Sequence, residues 1–216
     1  AEFCEFPRKT TPNTHALVDE FVVLDNYYCS GVLSCDGHQW ATQGITSPYR
    51  EKDWSCIRCR YDFGTDALCY AGCGFIWDHL LDRGLSFRNF GELDYPVKLK
   101  GKTWSDFYNS WKTGSGSAEF KCSSHIERLR AYSDLRFPGW EMSIPDQVRA
   151  DAFLKALSEY EQSGEMPEFV IIYLPNDHTS GGSKGVPTPR AYVADNDLAL
   201  GRIIEGLSKS RFWKDM

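Results

Sequence analysis

Two short stretches of this sequence concentrate groups that can do chemistry. Ser34, Asp36 and His38 place a hydroxyl, a carboxylate and an imidazole within five residues. A hydroxyl beside an imidazole is the minimal kit for an activated nucleophile. Asp177 and His178 are adjacent and are followed by Thr179, Ser180, Gly181 and Gly182. A carboxylate oxygen next to an imidazole nitrogen suits a borderline divalent metal ion. Each group also has an inert reading. Asp36-Gly37 is a common turn pair, Ser34 can serve a turn, and Asp177 and His178 can cap a loop. Asp195 and Asp197 fall in a helical pattern and read as surface or capping residues. Gly181-Gly182-Ser183-Lys184-Gly185 lacks the Gly-x4-Gly-Lys-Ser/Thr order, which excludes a nucleoside-triphosphate loop. Four of the cysteines are spaced as Cys56-x2-Cys59-x9-Cys69-x3-Cys73. That spacing is open to a structural zinc, to disulfides or to free thiols, and leaves the redox compartment undecided.

The elements that position these groups are legible in part. Residues 169–174, Phe-Val-Ile-Ile-Tyr-Leu, form an unbroken apolar run, which predicts a central parallel strand covered on both faces. Residues 21–24 read as a short buried strand. The loops 29–38 and 175–185 would then both follow strands. In open α/β sheets ligands bind beyond the carboxyl ends of strands, so Ser34, Asp177 and His178 are expected in one cleft. Thr11-Pro12 opens a helix, residues 75–81 form another, and Pro145 and Pro189 start two long ones that end near Gly164 and Ser210. Residues 85–90 alternate as a strand. Residues 44–74 read as a Cys-rich surface excursion within a single domain spanning 1–216, remote from catalysis, and 91–124 as irregular apart from a helix near 104–111.

Composition narrows the class. The chain has 216 residues, 42% hydrophobic and 25% charged, which is globular. Its net charge is −6, and Lys and Arg never run beyond a pair, so no nucleic-acid surface is evident. No apolar run approaches the ~18 residues of a membrane span.

Ordered segments add a resemblance. They are Thr11-Pro12-Asn13 with residues 21–28, Ser34-Cys35-Asp36-Gly37-His38-Gln39-Trp40, Gly74-Phe75-Ile76-Trp77-Asp78, residues 86–92, residues 144–151, residues 174–181, and Thr188-Pro189-Arg190 through residue 202. Together they resemble the phosphoesterase family of the alkaline phosphatase superfamily, over most of residues 11–214. The resemblance implies an α/β fold, an alkaline-phosphatase-like three-layer α/β/α sandwich with irregular insertions, here incomplete. It implies a metal-dependent phosphoester hydrolase acting on a small phosphoester, with Ser34 as nucleophile and Asp177 and His178 as metal ligands. Asp36, His38 and Glu92 would contact substrate or support the ligands from behind. The cofactors implied are divalent ions, among Zn, Mn, Ca and Mg. An exported or periplasmic protein is also implied, although the sequence begins at Ala1 without a leader. Cys35 stands where the family has a small residue. The family's Glu-Asn-Arg motif and its Asp-Asp and later Asp-His segments have no counterpart here. The expectation is weak metal binding, poor hydrolysis and low stability for these 216 residues. Two rivals stand beside this reading. One is a metal-free serine hydrolase pairing Ser34 with His38 or His178, although no Gly-x-Ser-x-Gly elbow surrounds Ser34. The other is a non-catalytic binding or structural module.

Overall fold

The computed structural model describes residues 5–53, 64–96, 102–114 and 121–216. In chain order the elements are α1 (Pro12–Glu20), α2 (Ser34–Gln43), α3 (Pro48–Asp53), α4 (Ile76–Asp82), β1 (Phe87–Phe90), β2 (Asp94–Pro96), α5 (Trp104–Thr113), β3 (Cys122–Ser124), α6 (Glu127–Arg130), α7 (Asp146–Ser163), β4 (Phe169–Ile172) and α8 (Pro189–Lys209). The chain is an α/β protein. Among the described residues no helix is long and apolar enough to cross a membrane.

The organising unit is a parallel pair, β1 with β4, in register Phe87 to Phe169 through Phe90 to Ile172. Side chains alternate across a strand, so each strand serves two cores. Val170, Ile172 and Phe90 pack with Phe153, Leu157, Ala199 and Ile203 of α7 and α8. Phe169, Ile171 and Phe87 pack with Trp77 of α4 and Leu129 of α6. A helix layer therefore covers each face of the pair, as the unbroken apolar run requires.

The long helices follow from their punctuation. Thr188 accepts a hydrogen bond from the Ala191 amide and Pro189 opens α8. Gly164, left-handed at φ 80°, closes α7.

Four expectations are corrected. Residues 21–24 are not a buried strand: they lack regular structure, with Val22 89% and Leu24 72% exposed. A strand needs a partner, and none pairs with this run among the described residues. The expected loop 29–38 is half helix, because α2 begins at Ser34. Its buried side is polar (Asp36, Gln39, Thr42 and Gln43), so no apolar stripe announces it. β4 is an edge rather than a central strand, with β1 as its one strand partner among the described residues. Finally, Asp195 and Asp197 are buried rather than on the surface, but the capping alternative holds: Asp195 accepts from the Asp146 amide at the start of α7 and Asp197 from the Asn13 and Thr14 amides of α1. The irregular stretch 91–124 also holds a short antiparallel pair, β2 with β3. Strands of three residues carry too little pattern to read. Within 44–74, Thr46, Ser47, Arg50 and Cys69 are buried.

Candidate functional site at the carboxyl end of the parallel pair

β1 runs out into Gly91, Glu92 and Leu93, and β4 into Tyr173 and a 3-10 turn over Pro175–His178. The parallel ladder continues one step further, from the Tyr173 amide to the Phe90 carbonyl at 2.9 Å. α2 lies over this end of the sheet. His38 Nδ1 meets Glu92 Oε1 at 2.7 Å. The His38 ring stands edge-on to Tyr173, centroids 5.4 Å apart. Tyr173 stacks with Trp140 at 6.3 Å, and the His178 ring stands edge-on to Trp140 at 4.9 Å. A two-ring wall thus connects the histidine of α2 to the histidine that follows β4.

The electrostatics favour a charged imidazole at His38. Burial alone would lower its pKa, but the hydrogen bond and the negative charge of Glu92 outweigh this and raise it above 6.5. Glu92 is itself buried and held from beneath. Asn89 Oδ1 accepts from the Glu92 amide at 3.0 Å, and Asn89 Nδ2 donates to the Glu92 carbonyl at 2.9 Å. The same Nδ2 reaches Asp94 Oδ2 at 3.1 Å and Ser133 Oγ at 2.9 Å. Burial pushes the Asp94 carboxyl up to about 7, against the hydrogen bond from Ser133. The turn carrying Glu92 is conformationally costly. Gly91 sits at φ 99°, where an added Cβ would meet Phe137 at 2.9 Å, and Leu93 adopts φ 53°. Left-handed backbone at a leucine costs of order 1–3 kcal/mol and persists only where surrounding contacts enforce it.

Ser34 is the first residue of α2 and is exposed. The N-cap, Leu33, makes no side-chain cap hydrogen bond. His38 lies four residues on and shares Ser34's helix face. Asp36, two residues from Ser34, turns inward. It is buried and accepts from Arg50 Nε at 3.3 Å, a structural pairing behind the helix. Cys35, His38, Gln39, Thr42, Tyr70, Phe75 and Leu93 line a small cavity beneath α2.

Asp177 and His178 are exposed at the end of the 3-10 turn. Desolvation raises the Asp177 pKa, against stabilisation by the His178 amide and charge. The turn ends at Thr179, φ 58° and ψ 174°, a region that non-glycine residues rarely occupy. Its base is fixed by Asn176, which is fully buried. The Asn176 amide donates to Asp146 Oδ2 at 3.1 Å and its Nδ2 to Asp195 Oδ2 at 2.7 Å.

Among the described residues, no three His, Cys, Asp or Glu side chains converge to hold a metal ion. Asp177 and His178 supply one oxygen and one nitrogen donor, half of a four-ligand set. The chemistry of this pair fits a borderline divalent ion, with the other positions left to water or substrate. Cys73 donates to the Gln43 carbonyl at 3.7 Å, at the opposite end of α2 from Ser34. Cys69 is buried in a 3-10 turn, Ala67–Cys69. Cys56 and Cys59 lie outside the described residues.

The structure therefore brings His38 and Glu92 into contact and joins them to His178 through Tyr173 and Trp140. Asp36, Cys69 and Cys73 stand apart. Sequence reasoning missed Asn89, Asp94, Trp140 and Tyr173. A buried asparagine inside a strand was the one readable signal; Tyr173 read only as part of the apolar strand. Compared with known proteins, the chain matches no family model, no curated protein and no solved structure.

Proposed function

We propose that this chain is a phosphoester hydrolase domain of alkaline-phosphatase-like α/β/α architecture, working with a divalent metal ion. One observation supports the reading: the His38–Glu92 pair, one turn of α2 from Ser34, is linked through Tyr173 and Trp140 to His178, the neighbour of Asp177. The N-terminus of α2 favours an anion, because the helix dipole points positive charge at a ligand there. A phosphoryl group seated there meets Ser34 Oγ. Attack by that oxygen forms a phosphoseryl ester and releases the alcohol, which takes up the proton that Ser34 gives away; water then frees the phosphate. Glu92 raises the His38 pKa against the effect of burial, so the imidazole is biased toward the charged form that would favour phosphoryl oxygens. Asp177 and His178 would hold the ion, which when bound supplies positive charge to those oxygens and eases ionisation of the serine.

The test is release of p-nitrophenol from mono- and bis-(p-nitrophenyl) phosphate with Mn²⁺, Zn²⁺, Ca²⁺ or Mg²⁺, then with chelator. Metal-dependent release that vanishes in Ser34→Ala is expected. Release equal to that of Ser34→Ala under every metal overturns the reading. A second reading, a metal-free serine hydrolase, is favoured by the 2.7 Å His38–Glu92 contact one helical turn from Ser34. Chelator-insensitive cleavage of p-nitrophenyl acetate, lost in Ser34→Ala and in His38→Ala, would select it.

A further inference from the structure

We infer that Asn89 is the positioning residue of this site: its side-chain amide sets Glu92 against His38. The inference rests on reading the His38–Glu92 pair as part of the site. Asn89 is fully buried in the middle of β1. Its backbone is fixed on both sides. It lies opposite Ile171 of β4, its amide donates to the Tyr132 carbonyl at 3.0 Å, and its carbonyl accepts from Asp134 at 2.8 Å. The side chain therefore starts from a rigid base.

The turn after β1 leaves Glu92 without a ladder partner. Gly91 and Leu93 on either side have positive φ, so the peptide groups of Glu92 point back over the strand. One amide satisfies both of them, accepting from the Glu92 N–H and donating to the Glu92 C=O. Only a side chain with an acceptor and a donor on one short planar group can do this. Aspartate lacks the donor, and glutamine is one carbon too long for the same span.

The amide is also oversubscribed. Nδ2 carries two hydrogens and faces three acceptors: the Glu92 carbonyl, Asp94 Oδ2 and Ser133 Oγ. Ser133 Oγ in turn donates to Asp94 Oδ1 at 2.9 Å. Asp94 and Ser133 thus hold the amide plane in place, and that plane fixes the direction in which the Glu92 side chain leaves the backbone.

The experiment follows the His38 ring by NMR through a pH titration of the full chain, which requires no turnover. The wild-type ring is expected to titrate above 6.5. Glu92→Gln should bring it below that value, since burial then acts alone. Asn89→Ala should fall most of the way to the Glu92→Gln value, whereas Ser133→Ala, which removes one of the two groups that hold the amide plane but keeps both Asn89 contacts to Glu92, should fall less. A folded Asn89→Ala variant titrating like wild type overturns the inference while leaving the hydrolase reading intact. Absence of hydrolysis with the expected titrations overturns only the function. If Asn89→Ala does not fold, amide exchange in the wild type decides. The Glu92 amide should be protected like those of β1, and exchange at the rate of exposed loop amides overturns the assignment.

Discussion

Two polar clusters sit at the same end of the sheet and are built on opposite principles. The first joins α7, α8 and the 3-10 turn. Asp146 accepts from Arg149 NH1 at 2.9 Å, from the Asn176 amide at 3.1 Å and from Asn196 Nδ2 at 3.0 Å. Arg149 also donates to the carbonyls of Pro138, Gly139, Glu141 and Ile144 at 2.7 to 3.0 Å. Both residues are fully buried. The second is the His38, Glu92, Tyr173, Trp140 and His178 group, half-buried at its rim and flanked by strained Leu93 and Thr179. The first cluster turns most of its polar groups on one another, with Asn176 Oδ1 left without a hydrogen-bond partner among the described residues. The second keeps polar groups at its surface and is held in place by the first, since Arg149 anchors the loop that carries Trp140 and Asn176 anchors the turn that carries His178.

That contrast breaks most visibly at Asp146. Asp146→Ala leaves a buried guanidinium without its counter-ion and is expected to cost about 3–5 kcal/mol, seen as a fall in the urea midpoint or loss of cooperative unfolding. Replacement of an exposed site residue such as Ser34 should not approach this.

Acidic groups sharpen the comparison through pH. Burial pushes Asp94 up to about 7 from 3.8. Its folded-state pKa lies above the unfolded one, so the folded chain holds this proton more tightly. Stability is then full below 3.8 and falls as pH rises toward 7, by at most about 4 kcal/mol at roughly 1.4 kcal/mol per unit. Asp94→Asn should flatten that decline in denaturation series run from pH 4 to pH 8. A decline of unchanged slope would place the titration elsewhere.

Strain gives the reverse sign. Thr179→Gly removes a disfavoured backbone and should raise stability by up to about 1 kcal/mol while loosening His178. A thermal melt and the metal-dependent hydrolysis assay should move in opposite directions.

The smallest expected effect on folding is at Ser34. It is exposed and provides no cap, so Ser34→Ala should change stability by less than about 0.5 kcal/mol while abolishing hydrolysis. A drop comparable to that of Asp146→Ala would mark Ser34 as structural.

What the sequence disclosed divides along the same line. α7, α8 and β4 were legible because local signals agree: Pro145 and Pro189 at the starts, Gly164 at an end, and an apolar run of strand length. The expectation of Ser34, Asp177 and His178 in one cleft rested on two loops sharing a sheet edge, whereas residues 21–24 before the first loop lack regular structure, and the contact of His38 with Glu92 had no signal in the spacing. α2 was hidden by its polar buried side, where Gln39 and Gln43 look inward to Thr46 and Ala71. The wall of Tyr173 and Trp140 was hidden because an aromatic in an apolar run, as Tyr173 is, has the same composition whether it lines a core or a cleft, and Trp140 sits in a loop without periodicity. Asn89 was hidden because its role depends on a turn conformation that no spacing encodes. Gly139 is similar: an added Cβ would fall 2.0 Å from the Asp94 carbonyl oxygen, a demand visible only once β2 and the 138–144 loop are placed together.

Asp197 carries a further consequence, for the order in which the molecule assembles. Its carboxylate receives the Asn13 amide at 3.0 Å, Asn13 Nδ2 at 2.8 Å, the Thr14 amide at 2.7 Å and the Thr14 hydroxyl at 2.6 Å, across 184 residues of chain in the Asn13 case. α1 has nine residues, too few to persist alone in water. Closing a loop of that span carries an entropy cost of roughly 4–5 kcal/mol, which must be met before these contacts form. α1 therefore docks late, after α7 and α8 have paired. On a ribosome it waits as a disordered passenger until α8 emerges.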